Sequence, residues 1–177
     1  MLIFLTGFMG AGKSLLGKCL AKRLGLGYLD MDVLLEEVEG KTIQQIFAEK
    51  GESYFRDLEA KLLREMTQYS NMIVSTGGGI PCYNDNMEWM NDHGITIYLD
   101  VSPMELARRL MNESDKRPLL NGKTPEELKK FIHSKLQERS YYYNQAQFVC
   151  NAGHTVDELV EGLAGYFKRF FPESREK

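Results

Sequence analysis

The 177-residue sequence carries 43% apolar and 27% charged residues and a net charge of −3, the make-up of one globular domain with a full hydrophobic core and no general attraction for nucleic acid, so any anion site has to be local. No apolar run is long enough to span a bilayer, and the apolar start Leu2–Leu5 lacks the length and the basic flank of a signal peptide. Cys19, Cys82 and Cys150 are scattered, without metal-ligand spacing, and read as free thiols of an intracellular chain.

In chain order, Leu2–Thr6 is a continuous apolar run, as expected of a strand buried on both faces. Gly7-Phe8-Met9-Gly10-Ala11-Gly12-Lys13-Ser14 follows and matches the phosphate-loop pattern GxxxxGK closed by Ser or Thr. Its glycines let the backbone curl so that N–H groups point at phosphates. A helix is predicted from Ser14 to Leu24, with Leu15, Leu16, Cys19, Leu20 and Leu24 on its period, and its positive end adds to the same anion site. In this pattern Lys13 reaches the β- and γ-phosphates and the Ser14 hydroxyl ligates Mg²⁺. A buried strand before and a helix after separate such a loop from a chance match.

Gly25 and Gly27 end that helix, and Tyr28–Asp30 reads as a second strand. Asp30-Met31-Asp32 stands at its carboxyl end, where parallel sheets bind ligands. The two acids suit a metal or a substrate hydroxyl, or else a solvated turn or helix cap. Thr42 with Gln45 starts the next helix as a capping box. Arg56 lies near the start of a helix with the apolar stripe Phe55, Leu58, Leu62 and Met66, and it is off that stripe. With Glu59 three positions on, it reads either as a surface ion pair or as an oriented guanidinium for a carboxylate. Met72–Ser75 is a third strand, and Gly77-Gly78-Gly79 after it permits close approach of backbone to a ligand, or a flexible turn.

Ile95–Leu99 is the fourth strand, and Ser102-Pro103 with Glu105 starts a further helix. Asn112–Lys123 is polar with an apolar centre and reads as a plain loop or as a lid carrying a cation, Arg117 or Lys116. Thr124-Pro125 with Glu127 opens a further helix; Arg139, open to the same two readings as Arg56, stands just before Tyr141-Tyr142-Tyr143, read as core and groove wall. Gln147–Cys150 is the fifth strand, Thr155 with Glu158 opens the last helix, and the polar tail Pro172–Lys177 reads as frayed. His93, His133 and His154 have no partners at ligand spacing and read as surface or packing residues. Strands alternating with helices predict a three-layer α/β domain with a parallel sheet covered on both faces.

Taken together, GFMGAGKS, LDMD, GESYFRDLE, STGGG and KRPLL, with Arg139 before an aromatic run, resemble the shikimate kinases in order and approximate spacing, from Ile3 to about Tyr143. The resemblance implies a nucleoside-monophosphate-kinase-like P-loop kinase fold with a central five-stranded parallel sheet. A single domain would span 1–177, with an acceptor-binding segment at about 31–60 and a lid at about 112–123. It implies ATP and Mg²⁺ as cofactors and shikimate as the small-molecule partner, phosphorylated at the fifth step toward chorismate and the aromatic amino acids. A cytoplasmic monomer without nucleic-acid or membrane partners is expected. By position, Asp32, Arg56, Gly78, Gly79 and Arg139 match the family's shikimate contacts. Gly10, Ala11, Gly12, Lys13, Ser14 and Leu15 match its nucleotide loop, and Arg117 a further phosphate contact. Ser14 matches the magnesium ligand, Asp30 the acid that reaches the metal, and Arg109 an arginine beside the adenine. Lys13, Asp32 and Arg117 would be the catalytic set.

Two departures from the family pattern stand out. Leu15 replaces the second hydroxyl residue common after GKS, so any contact it makes to the α-phosphate is through backbone. The loop Asn151-Ala152-Gly153-His154-Thr155 lacks the proline that often packs on the base. Two other readings stay open on the residues alone: a P-loop kinase for a neutral sugar or gluconate, which the Arg56 and Arg139 pair argues against, and a nucleotide-dependent binding module, which the Asp30/Asp32 pair argues against.

Overall fold

A computed structural model describes residues 1–111, 124–151 and 153–171. Five strands, β1 (Leu2–Thr6), β2 (Gly27–Asp30), β3 (Met72–Ser75), β4 (Ile95–Asp100) and β5 (Phe148–Asn151), form one parallel sheet in the order β2-β3-β1-β4-β5. The expected five-stranded parallel sheet is therefore present, with strand ends within a residue of the sequence reading. Among the described residues, no helix is long and apolar enough to cross a membrane.

The helices are α1 (Lys13–Leu24), α2 (Met31–Glu39), α3 (Ile43–Glu65), α4 (Asn86–His93), α5 (Pro103–Met111), α6 (Pro125–Tyr143) and α7 (Val156–Phe170). Alternation along β1 divides the core. Ile3 and Leu5 face a layer that holds residues of α1, α5, α6 and α7, while Leu2 and Phe4 face residues of α2, α3 and α4. Successive strand side chains point to opposite faces, so a central strand is buried on both: all five residues of β1 are buried, Leu2–Leu5 apolar and Thr6 the polar exception.

The capping boxes read from the sequence close at Thr42, Thr124 and Thr155, each with its side chain and its Gln or Glu partner bonded reciprocally. At Ser102 the hydroxyl accepts the Glu105 N–H at 3.3 Å, but the Glu105 carboxylate turns to Arg108 and Arg109 instead. The helix read from Thr42 and the helix read from Phe55 are continuous in α3 apart from a break at Gly51, whose φ of 79° and ψ of 174° are non-helical.

Register sets which loops meet. Ser75 lies beside both Leu5 and Asp30. The phosphate loop after β1, the acids after β2 and the triple glycine after β3 therefore leave the sheet at one level, on one edge.

Candidate active site

The phosphate loop is built on strained backbone. Gly7, Gly10 and Gly12 have φ of 138°, 78° and 98°, conformations that side-chain-bearing residues rarely adopt. Gly12 is the N-cap of α1 and provides no side-chain cap, unlike the threonines that cap α3, α6 and α7. The first N–H groups of α1 thus point into the cleft as anion donors. Lys13 Nζ donates to the Gly7 and Phe8 carbonyls at 2.8 and 2.9 Å, which holds its ammonium at the mouth of the loop.

Beside the loop is a cleft of about 260 Å³ lined by Lys13, Ser14, Asp30, Asp32, Ser75, Thr76 and Gly78, with Met9, Gly10, Gly12 and Leu15. Ser14 Oγ donates to Asp30 Oδ2 at 2.7 Å. The Tyr28 hydroxyl donates to the same oxygen at 3.1 Å and sits 3.1 Å from Ser75 Oγ. Burial pushes the Tyr28 phenol above its usual range, so it stays a neutral donor. The other carboxylate oxygen, Oδ1, accepts the Asp32 N–H at 3.1 Å and caps α2. Asp30 is thus a helix cap through Oδ1 while Oδ2 faces Ser14, so the two readings of the DMD motif are compatible. Two hard oxygens, 2.7 Å apart beside the phosphate loop, suit Mg²⁺, which is bound through few protein oxygens together with phosphate and water. Among the described residues, no group of three or more His, Cys, Asp or Glu gathers as an all-protein metal cage.

Side chains of α3 and α6 converge on the triple glycine. Arg139 Nη1 donates to the Gly78 carbonyl at 3.1 Å, and the Tyr143 hydroxyl donates to the same oxygen at 2.6 Å. A Cβ on Gly79 would stand 2.5 Å from Arg56 Nη1, and one on Gly77 would stand 2.7 Å from Asp32 Oδ1. The glycines therefore admit the functional groups of Arg56 and Asp32 against bare backbone. Arg56 does form the i,i+3 pair with Glu59, at 2.7 Å, but the pair is not on the surface: 13% of the arginine side chain and 2% of the glutamate side chain are exposed. Glu52 takes Nε and Nη2 at 3.3 and 3.0 Å. Those bonds engage three N–H groups of a guanidinium that has five.

Burial pushes the Glu59 carboxyl up to about 7 against the pull of Arg56; Asp32 adds to the rise and Arg139 opposes it. Burial likewise pushes the Cys82 thiol up to about 11 although Arg139 and Arg56 favour its thiolate, so it is an inert packing residue here.

A neighbouring cleft of about 350 Å³ is lined by Gly10, Ala11, Gly12, Leu15, Leu16, Leu99, Val101, Arg109, Cys150, His154, Val156 and Leu159. Arg109 Nη1 donates to the carbonyls of Gly10 and Ala11 at 3.3 and 3.1 Å, and Nε to Glu105 at 2.7 Å. Its guanidinium thereby braces the outer turn of the phosphate loop as well as walling this cleft. Leu15, 57% exposed, turns its side chain to the same cleft.

Every site residue predicted within the described chain lies along these two clefts or against the triple glycine. Arg117 and the lid at 112–123 lie outside the described residues. The sequence reading missed the contacts of Glu59, Tyr28, Ser75 and Tyr143, and it set His154 aside although that residue lines the 350 Å³ cleft. An acid among the apolar stripe Phe55, Leu58, Leu62 and Met66 was the available signal for Glu59; for Tyr143 the aromatic run carried none of its own.

The family model described as shikimate kinase matches residues 9–165. Shikimate kinase of Phocaeicola vulgatus is 48% identical over 156 residues, 88% of this chain and 89% of that protein. The crystal structure of shikimate kinase from Bacteroides thetaiotaomicron superposes with a TM-score of 0.89 at 42% identity, covering 97% of this chain and 98% of that one. Shikimate kinase from Acinetobacter baumannii, solved in complex with shikimate, gives a TM-score of 0.80 at 30% identity, covering 99% of this chain and 95% of that one.

Proposed function

The chain belongs to the shikimate kinase family, whose reaction is ATP-dependent phosphorylation of shikimate in aromatic amino-acid biosynthesis, and on that premise we propose which side chain of the cleft performs which task. The observation that carries the assignment is the convergence of two chemistries on one edge of the sheet. An uncapped, glycine-strained phosphate loop faces two arginines gathered on a triple glycine.

ATP lies with its phosphates on the loop Gly10–Ser14 and the N-terminus of α1, and its base in the cleft walled by Arg109, Leu15 and His154. Arg56 and Arg139 pin the carboxylate of shikimate. Arginine suits this because its planar fork meets both carboxylate oxygens. The backbone of Gly78 and Gly79 forms the floor, and Asp32, across from the phosphate loop, orients the acceptor hydroxyl. The Ser14 hydroxyl and the Asp30 carboxylate would hold Mg²⁺, which would supply charge neutralisation to the transferring phosphate.

The hydroxyl oxygen of shikimate forms a bond to the γ-phosphorus, the bond to the β–γ bridging oxygen breaks, and ADP leaves. The hydroxyl proton departs late in a loose transition state, so the task of Asp32 is orientation first and proton acceptance second. Lys13 offsets charge that grows on the transferring group. Arg117 is assigned the second phosphate cation and the segment 112–123 the lid, on sequence grounds. The same reading makes the protein a cytoplasmic monomer with the small molecule as its partner.

Measuring ADP release with shikimate, with gluconate and with no acceptor tests the assignment. Release should require shikimate. Comparable release with gluconate would place the acceptor specificity elsewhere, and release without any acceptor would make the chain a nucleotide hydrolase.

A further inference from the structure

Arg56 carries the acceptor reading above, yet it is a long side chain at the rim of the fold, and something has to fix its plane. Glu52 and Glu59 grip the edges of its guanidinium. Its face is met by Tyr83, whose ring centroid lies 4.3 Å from the Arg56 Cζ, closer than Phe55 at 5.3 Å or Phe47 at 5.8 Å. The Tyr83 hydroxyl reaches Glu52 Oε1 at 3.3 Å, the same oxygen that holds Arg56.

Tyr83 does not lie there by chance of an exposed rotamer. It follows the short 3-10 turn Ile80–Cys82 that leaves the triple glycine. The next two residues, Asn84 and Asp85, have φ of 50° and 53°, left-handed backbone that costs a non-glycine residue energy and has to be held by its surroundings. It is held by α3 itself. Asn84 Nδ2 donates to the Arg56 carbonyl at 3.1 Å, and Arg64 Nη2 donates to the Asn84 carbonyl at 2.8 Å. Arg64 Nη1 reaches Asn86 Oδ1 at 2.5 Å, and the Asn86 N–H closes back on the Tyr83 carbonyl at 3.0 Å. The turn is therefore strapped to the helix that bears Arg56, one bond landing on the backbone of Arg56 itself.

We infer that Tyr83 is a positioning residue for the acceptor: stacked on the guanidinium of Arg56 and strapped to α3 by the Asn84–Asp85 turn, it holds the fork in the plane that receives the shikimate carboxylate. The inference rests on the assignment of Arg56 to that carboxylate. Tyr83 is 40% exposed, so replacing it leaves the core intact. The contact depends on the π-face of the ring, which Phe retains and Leu lacks.

Tyr83→Leu, Tyr83→Phe and Arg56→Lys, with the parent enzyme, decide the matter when the dissociation constants for shikimate and for ADP, kcat, KM and the melting temperature are all measured. Tyr83→Leu should raise the KM and Kd for shikimate about three- to ten-fold, the range of a partly exposed cation–π contact. The kcat, the affinity for ADP and the melting temperature should stay near the parent values, and Tyr83→Phe should restore shikimate binding. Tyr83→Leu placed on Arg56→Lys should add no further loss, because the stacked plane is then gone. A Leu variant that binds shikimate like the parent while Arg56→Lys weakens it would overturn the inference and leave the site assignment standing. Equal losses in the Leu and Phe variants would also overturn it, since only the hydroxyl would then matter. If Arg56→Lys itself leaves shikimate affinity unchanged, the site assignment fails and this inference falls with it.

Discussion

Arg56 Nη1 donates to Glu59 Oε2 at 2.7 Å, and the acid end of that pair is sealed from water, with 2% of its side chain exposed. Burial raises the Glu59 carboxyl from 4.5 to about 7 despite the arginine. Between those pH values the folded protein keeps a proton that the unfolded chain has lost. The stability from this group is therefore full below about pH 4.5 and is lost as the pH rises toward about 7. Chemical denaturation of the parent and of Glu59→Gln across that range should show the parent's advantage shrinking with rising pH, then levelling. A constant difference would mean that Glu59 is ionised throughout and that the arginine outweighs burial.

Gly79→Ala isolates the close approach of Arg56. The backbone at Gly79 has φ of −91° and ψ of −23°, which alanine accepts without strain. The added Cβ would instead fall 2.5 Å from Arg56 Nη1, the far end of a flexible side chain that can be pushed aside. The melting temperature should hardly change, while the KM for shikimate should rise roughly ten-fold, as for loss of a charged hydrogen bond. Unaltered acceptor kinetics would show that Arg56 works from a different rotamer.

Arg139→Lys removes the fork but keeps the charge. Its partner in the fold is the Gly78 carbonyl at 3.1 Å, which a lysine can still reach. Calorimetry should show shikimate bound about ten-fold more weakly or worse, with ADP bound as before. Equal loss of both ligands would point to a general loosening of α6.

Asp30 and Asp32 separate by partner. Asp30 accepts from Ser14, from Tyr28 and from the N–H that starts α2. Asparagine caps a helix as well as aspartate does, so Asp30→Asn should fold normally but require more Mg²⁺, and raised Mg²⁺ or Mn²⁺ should partly restore its rate. Asp32→Asn should lower kcat/KM for shikimate at every Mg²⁺ concentration. The opposite pattern would exchange the two assignments.

Lys13→Ala removes a cation tied to two loop carbonyls. Loss of those bonds should cost about 1 kcal/mol of stability, while kcat should fall on the order of 100-fold or more, as for other charge-stabilising groups of a transition state. Near-normal turnover by a folded variant would exclude the phosphate loop from the chemistry.

Much of this site is legible in the linear chain because its signals are local. GFMGAGKS needs only its own backbone to make an anion nest, and the Thr42, Thr124 and Thr155 boxes bond within four residues. Leu2–Thr6 betrays a central strand by having no polar face. The roles proposed for Asp32, Arg56 and Arg139 come only from family positions, since spacing alone allows a surface pair or a solvated turn.

Tertiary structure decided the rest. The strand order β2-β3-β1-β4-β5 carries the acids, the glycines and the phosphate loop to one edge, and strand order depends on which faces bury against one another across the whole chain. Glu59 looks like any i,i+3 partner until α3 packs and withdraws it from water, which is what raises its pKa against the pull of Arg56. Tyr83 and Tyr143 meet Arg56 and Gly78 across 27 and 65 residues of chain. Propensity and periodicity report a residue's own neighbourhood. A contact across that distance is set by the packing of layers, and only the folded molecule brings its two ends together.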